Sequence, residues 1–177
     1  MKKALLTLIA ITFSGSIMAH DTADKNPITQ DGAVTITWKD PTHFRDIKSS
    51  GERQSRFQNR LFETLTKNIN KLTSNVLKEN QTISLEVTNL DLAGDVRPTF
   101  SAASNDIRVI KNIYPPRITF SYKVLEGKNE VFKGDEKLSD LAFMDTIHNA
   151  MNKPFNYETK LLKNWVNRTL KEQLSQD

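Results

Sequence analysis

The chain has 177 residues, a length typical of one domain with a terminal segment. It contains no cysteine, which excludes a disulfide framework and the cysteine-linked lipid anchor of bacterial lipoproteins. Its 25 Lys and Arg residues, set against 21 Asp and Glu residues, form no basic stripe of the kind that nucleic-acid binding requires.

Residues 1–19 have the three-part pattern of a secretory signal peptide. Lys2 and Lys3 form the charged region, residues 4–13 form a short apolar run, and Ala19 is the small residue at the expected cleavage site. A membrane-spanning helix needs about 20 apolar residues, so this run is too short for a stable membrane anchor. We therefore expect export to the periplasm of a Gram-negative cell, cleavage near Ala19, and a disordered polar leader over residues 20–32.

The first folded elements follow this leader. Alternating apolar and polar residues predict a half-buried strand over residues 33–39. Ser49 followed by Glu52 matches a capping box, and an apolar repeat of three and four residues predicts a helix from there to about Lys78. A second alternating stretch, residues 82–90, predicts a strand parallel to the first, because a helix connects them. Five basic residues on the outer side of the helix are expected to face solvent: Arg53, Arg56, Arg60, Lys67 and Lys71.

Three more strands are expected at residues 107–111, 118–125 and 130–138. If the first two pair antiparallel with both apolar faces inward, Val109 lies opposite Phe120, since a slip of one residue would reverse every side chain. The same alternation turns Arg117 to the outer face of the sheet.

Two helices complete the chain. One is predicted from Ser139 to about Met151, and the other over residues 157–174 with Asn156 as its cap. The predicted element order is β-α-β-β-β-β-α-α. Each strand has one apolar and one polar face, so residues 33–177 are expected to form a single α+β domain. Its architecture is a two-layer sandwich, in which helices cover one face of a five-stranded, mostly antiparallel sheet.

The most distinctive stretch runs from Leu90 to Arg117, where charged residues interrupt the sheet pattern. In one interpretation, Asp–Arg pairs and turns with hydrogen-bonded Asp side chains hold a long irregular connection in place. In the other interpretation, Arg97, Arg108 and Arg117 form a pocket for an acidic ligand or for a carboxylate of a partner. The pattern leaves both interpretations open. Six candidate binding residues follow from it: Asp91, Asp95, Arg97, Asp106, Arg108 and Arg117.

No catalytic residue, cofactor or metal site is predicted. The chain has neither a Gly-x-Ser-x-Gly motif nor a phosphate-binding glycine loop. After cleavage His20 would be the first residue and could chelate copper, but no motif ties His43 or His148 to it. The three aspartates of the polar stretch lack the close spacing of a calcium-binding loop.

Four segments resemble one protein family. They are residues 34–41 (Val-Thr-Ile-Thr-Trp-Lys-Asp-Pro), 91–94 (Asp-Leu-Ala-Gly), 106–108 (Asp-Ile-Arg) and 113–117 (Ile-Tyr-Pro-Pro-Arg). The family is a group of secreted Gram-negative proteins known only as a domain of unknown function, and the resemblance extends over residues 34–165. It implies an exported single domain and no particular activity, substrate or cofactor.

These observations favour a non-enzymatic periplasmic domain that binds or docks to another component of the cell envelope. The alternative is a small-ligand carrier or hydrolase that uses the polar region from Asp91 to Arg117. The expected partner is an envelope protein or a small acidic ligand. The sequence does not indicate nucleic-acid binding, and it does not indicate a particular oligomeric state.

Overall fold

The computed structural model describes residues 26–99, 106–145 and 153–175. Seven strands and three α-helices lie in these ranges, and a π-helical segment, Val166–Leu170, joins the last two helices. The elements are β1 (Ile28–Asp31), β2 (Val34–Trp38), α1 (Gln54–Thr73), β3 (Gln81–Asp91), β4 (Asp95–Arg97), β5 (Ile107–Val109), β6 (Arg117–Glu126), β7 (Asn129–Ser139), α2 (Asn156–Trp165) and α3 (Lys171–Gln173).

Five of the strands form the main sheet, in the order β1-β2-β3-β6-β7. The β2–β3 pair is parallel because α1 crosses from the end of one strand to the start of the other. The three other neighbouring pairs are antiparallel. The predicted five-stranded, mostly antiparallel sheet is therefore confirmed, and so is the parallel relation of the first two predicted strands.

Strand pairing collects the apolar residues on one face of the sheet. Ile36 of β2 pairs with Leu85 of β3, which in turn pairs with Tyr122 of β6, and all three are buried. The alternate positions face the other way and are polar, as in the pair of Thr35 with Ser84. This is the one-sided pattern expected of a sheet with one face on the core and one face in water.

Helices cover the apolar face. The ring of Phe62 in α1 stacks on Trp38 of β2, with ring centroids 4.1 Å apart. Trp165 of α2 packs edge-on against Phe120 at 4.9 Å and against Tyr122 at 5.0 Å. The predicted two-layer α+β sandwich is confirmed by these contacts.

Helix α1 begins later than the sequence pattern predicts. Ser49 Oγ accepts a hydrogen bond from the backbone N–H of Glu52 at 3.0 Å, and the Gln54 side chain accepts one from the N–H of Ser49 at 3.0 Å. This reciprocal arrangement closes a turn ahead of the helix, and Arg53 is the N-cap. The helix ends at Thr73 rather than near Lys78. The five basic residues of its outer side are exposed, as predicted.

Strand β1 lies where the sequence predicts part of a disordered leader. It pairs antiparallel with β2 across a turn at Gly32, whose φ of 51° is readily adopted by glycine. Thr29 Oγ1 accepts a hydrogen bond from Trp38 Nε1 at 2.9 Å and lies 2.6 Å from Thr66 Oγ1 of α1. Polar residues of this stretch are thus tied to both the sheet and the helix. Residues 20–25 lie outside the described residues.

The strand predicted at residues 107–111 does not join the main sheet. Instead β5 pairs with β4 in a separate two-stranded unit, the β4–β5 arm. The predicted pair of Val109 with Phe120 is therefore wrong, because Val109 lies opposite Asp95 and Phe120 lies opposite Val87 and Glu136. The ten residues of β6 match the eleven of β3 and the eleven of β7, whereas β5 has only three residues.

The C-terminal helix begins at Asn156, and its N-cap is Phe155 rather than Asn156. The helix predicted over residues 157–174 is present as α2, the π-helical segment and α3. Of the helix predicted from Ser139 to Met151, residues 141–145 form turns, and residues 146–151 lie outside the described residues.

Replacing Phe62 with alanine tests the contact between α1 and the sheet. Phe62 is 1% exposed, so Phe62→Ala should lower the free energy of unfolding by about 3–5 kcal/mol. The melting midpoint should fall by roughly 2–4 °C for each kcal/mol. The exposed neighbour Glu63 is the control, since Glu63→Ala should change the free energy of unfolding by no more than about 0.5 kcal/mol. Similar thermal shifts in the two variants would contradict this packing.

Candidate functional site

The polar stretch predicted from sequence begins at the last residues of β3. Arg45, in the loop after β2, forms a parallel bridge with Asp91, and its N–H donates to the carbonyl oxygen of Leu90 at 2.8 Å. Strand β6 pairs with the other side of the same residues. The end of β3 is therefore flanked on both sides, which leaves the Asp91 side chain only 9% exposed.

Arg117 neutralises this buried carboxylate. The two residues are direct partners in the β3–β6 register, and Arg117 Nη1 donates to Asp91 Oδ2 at 3.1 Å. The Arg117 side chain is 45% exposed, in agreement with its predicted outward direction. Arg108, however, does not lie on the strand beside Arg117, because β5 belongs to the β4–β5 arm.

A second ion pair lies in the β4–β5 arm. Arg97 Nε donates to Asp95 Oδ2 at 3.1 Å, and Arg97 Nη2 donates to the hydroxyl oxygen of Tyr114 at 2.8 Å. The hydrogen bonds to Asp95 and then to Tyr114 raise the pKa of Arg97. Exposed ion pairs contribute little to the stability of a whole protein. The Arg97–Asp95 pair is therefore expected to affect mainly the conformation of the β4–β5 arm. Asp106, beside the start of β5, is exposed and forms no ion pair with a described residue.

Arg108 ties the β4–β5 arm to two other segments through three of their backbone carbonyls. Its Nη2 donates to the carbonyl oxygens of Asp46 at 2.7 Å and Lys48 at 3.0 Å, and its Nη1 donates to that of Ala93 at 3.2 Å. Burial lowers the pKa of Arg108, and the nearby carboxylate of Glu158 opposes that effect. The guanidinium charge is therefore solvated mainly by peptide dipoles.

Glu158 is not among the residues predicted from sequence, yet it lies at this centre. It is 3% exposed and accepts a hydrogen bond from the N–H of Ala93 at 2.8 Å. Burial raises the pKa of Glu158, although the Ala93 N–H and Arg108 both act to lower it. The sequence contains a pattern that could have identified Glu158, because Glu158 precedes Leu161 and Leu162 by three and four residues. It thus lies on the apolar stripe of its helix, where a charged residue is rarely found.

An open pocket of about 370 Å³ lies beside Arg108 and Glu158. It is bounded by α1, the segment after β3, the β4–β5 arm and its continuation, and the start of α2. Three cations line it: Arg60, Arg108 and Lys153. The larger apolar and aromatic side chains that line it are Leu92, Ile110, Pro154, Phe155 and Tyr157.

Arg60 is held at the rim of this pocket by aromatic rings. Its guanidinium carbon lies 5.5 Å from the centroid of the Phe57 ring and 5.4 Å from that of Phe155. It also forms an ion pair with Glu52. Arg60 is thus exposed, as predicted for its helix face, but it also contributes a positioned cation to the pocket.

Two residues at this site have unusual backbone conformations. Phe155 has a φ of 55°, and Asp46, whose carbonyl binds Arg108, has a φ of 54°. Non-glycine residues rarely adopt the left-handed region, and such strain tends to cluster at functional sites. Burial also raises the pKa of Asp46, with Asp91 and Asp95 adding to that effect.

The structure thus separates the six predicted residues. Arg108 lines the pocket, whereas Arg97 and Arg117 each pair with a carboxylate elsewhere. In the described part of the chain, no group of three His, Asp or Glu side chains is arranged to hold a metal ion. His20 lies outside the described residues.

Replacing Arg117 with alanine tests the pair at the end of the sheet. It leaves the nearly buried carboxylate of Asp91 without its cation, so Arg117→Ala should lower the free energy of unfolding by about 1–2 kcal/mol, between the values for surface and buried pairs. Lys39→Ala is the matched control, because Lys39 and Glu86 are both exposed and lie 3.6 Å apart. Thermal melts measure both changes. An unchanged or higher midpoint for Arg117→Ala would contradict this stabilising role and favour the interpretation in which Arg117 binds an acidic ligand.

Replacing Glu158 with glutamine tests the buried carboxyl group. Because its pKa is raised in the fold, the wild type loses stability as pH rises from the ordinary glutamate pKa of about 4.3 through the raised value. Glutamine does not ionise. The melting midpoint of Glu158→Gln minus that of the wild type should therefore increase over that pH range and then become constant. Asp46 titrates in both proteins and cancels from the difference. A difference that does not change with pH in thermal melts would contradict this assignment.

The comparisons with known proteins identify a family but no activity. No curated protein and no solved structure matches the chain. Within the described residues no helix is long and apolar enough to span a membrane. A family model with the description "Protein of unknown function (DUF3016)" matches residues 32–168, which include every residue lining the pocket. The resemblance to an uncharacterised family is therefore confirmed, and the chain belongs to the DUF3016 family.

Proposed function

We propose that this protein is a non-enzymatic docking domain of the periplasm, exported by residues 1–19, and that it binds an acidic group of another cell-envelope component. The binding site is the pocket at Arg108. The observation that carries the proposal is the presence of three cations, Arg60, Arg108 and Lys153, around an otherwise largely apolar pocket.

The charge of Arg108 is available to a bound anion. An arginine has five N–H donors, and Arg108 uses three of them on carbonyl oxygens. It forms no ion pair within the described ranges, unlike Arg97 and Arg117. Lys153 is exposed and likewise forms no ion pair with a described residue. A carboxylate or phosphate group would therefore meet two cations, Arg108 and Lys153, that no described carboxylate contacts directly, while Arg60 is already paired with Glu52.

Glu158 also lines the pocket, and its carboxyl group accepts a hydrogen bond from the N–H of Ala93. Burial raises the pKa of its carboxyl group, which favours the neutral form more than in water. The Ala93 N–H and the nearby Arg108 offset part of the negative charge of Glu158 when it is ionised.

The shape of the pocket supports docking. Sites for small molecules usually enclose 70–90% or more of the ligand surface, whereas this pocket is open to solvent. An open pocket can admit one group of a larger partner. A small-ligand carrier is the second candidate, because about 370 Å³ lies within the range of known small-molecule pockets.

Crosslinking in intact cells tests the docking function. A photoreactive amino acid at Pro154, an exposed residue that lines the pocket next to Lys153, should give a specific adduct with one envelope protein in the periplasmic fraction. The same amino acid at Lys163, exposed on α2 and outside the pocket lining, is the control and should not give that adduct. The intact mass of the protein from the periplasmic fraction should equal that of the chain without residues 1–19.

The identified partner should then bind the purified domain, and Lys153→Glu should weaken that binding. Equal adducts from both positions, or partner binding that Lys153→Glu leaves unchanged, would contradict docking at this pocket.

A further inference from the structure

We propose that the group held in the pocket at Arg108 is the C-terminal residue of a partner protein, with its carboxylate beside the cations and an apolar side chain against the apolar lining. This inference rests on the proposed docking function. It adds the chemical identity of the group that docks.

The lining requires an anion and an apolar group close together. Lys153 and Arg108 provide cations, while Leu92, Ile110 and Phe155 provide apolar surface within the same small volume. In a C-terminal residue the carboxylate and the side chain leave the same Cα atom, so both groups enter the pocket together. The side-chain carboxylate of an internal Asp or Glu lies at the tip of its own side chain and carries no apolar group with it.

The polar groups of the pocket suit a terminal carboxylate. Its two oxygens can accept hydrogen bonds from the remaining donors of Arg108, and Lys153 adds a more mobile point charge. Asn156 also lines the pocket, and its side-chain amide can donate to or accept from the backbone of the bound segment. Capture of a C-terminal carboxylate is a recurring mode of peptide recognition, so this combination needs no unusual chemistry.

The size and opening of the pocket agree with a single terminal residue. Its volume of about 370 Å³ lies near the lower end of the range of about 300–1,000 Å³ for ligand pockets. That volume can hold one side chain together with its carboxylate. The open side provides a route by which the rest of the partner chain leaves the pocket.

Short synthetic peptides test the proposal with the purified mature protein. The probe is a labelled Gly-Ser-Gly-Ser-Phe peptide with a free carboxylate, and its affinity is measured by fluorescence anisotropy. The same peptide with a C-terminal amide lacks the charge, and a version ending in Gly lacks the apolar side chain. We expect each control to bind at least about tenfold more weakly, since losing about 1.4 kcal/mol of interaction is a tenfold change in affinity. Equal affinities of the acid and the amide would overturn the proposal.

Charge reversal locates the bound carboxylate. Lys153→Glu should weaken binding of the free-acid peptide by about tenfold or more and leave the amide unchanged. Lys163→Glu makes the same change at an exposed site outside the pocket lining and should affect neither peptide. Because both lysines are exposed, neither variant removes a core contact. Equal effects of the two reversals would place the peptide elsewhere and overturn the proposal.

The two proposals can fail separately. If the probe at Pro154 crosslinks to a partner in cells but the acid and amide peptides bind alike, docking stands and the C-terminal residue is wrong. If the free-acid peptide binds at Lys153 but no partner is crosslinked there in cells, the pocket chemistry stands and the docking function is wrong.

Discussion

The sheet has one apolar face, and the need to cover that face determines where the other elements lie. Pairing brings the buried residues of β2, β3 and β6 into line, and large aromatic residues close the layer from above. The stack of Phe62 on Trp38 fixes α1, and the contact of Trp165 with Phe120 fixes α2. Because burying a large apolar side chain contributes about 1.5–3 kcal/mol, these contacts outweigh surface ion pairs in positioning the helices.

The same arrangement brings charged groups into the interior where α2 begins beside the end of β3. Each of these groups is stabilised in a different way. Asp91 has the cation of Arg117, Glu158 has the N–H of Ala93, and Arg108 has three carbonyl oxygens. An uncompensated buried charge would be strongly destabilising, so the backbone around these side chains cannot move independently of them. The loop after β2, the segment after β3, the β4–β5 arm and α2 are consequently coupled at this point.

Local sequence patterns are sufficient to predict the central strands of the sheet and the helix that covers them, but they do not predict strand β1 or the partner of β5. The alternation of Val34, Ile36 and Trp38 predicts a half-buried strand, and the helix that follows predicts a parallel neighbour. The partner of β5 depends instead on competition between distant strands, which no local pattern encodes. Strand β1 was missed because an edge strand needs few apolar residues, and Thr29 is held by hydrogen bonds to Trp38 and Thr66. The left-handed conformation of Phe155 depends on its tertiary surroundings and not on its residue type.

The two interpretations of the polar stretch fit different arginines. Arg97 and Arg117 are matched to Asp95 and Asp91, which agrees with charged pairs that hold an irregular connection. Arg108 donates to three carbonyl oxygens, forms no ion pair with a described residue and lines the pocket, which agrees with an arginine that can bind an acidic group. Screening by salt limits exposed charges to a range of about 8 Å in physiological solution. Low-dielectric walls reduce that screening, so a cation lining an apolar pocket attracts an anion more strongly than the same cation on an open surface.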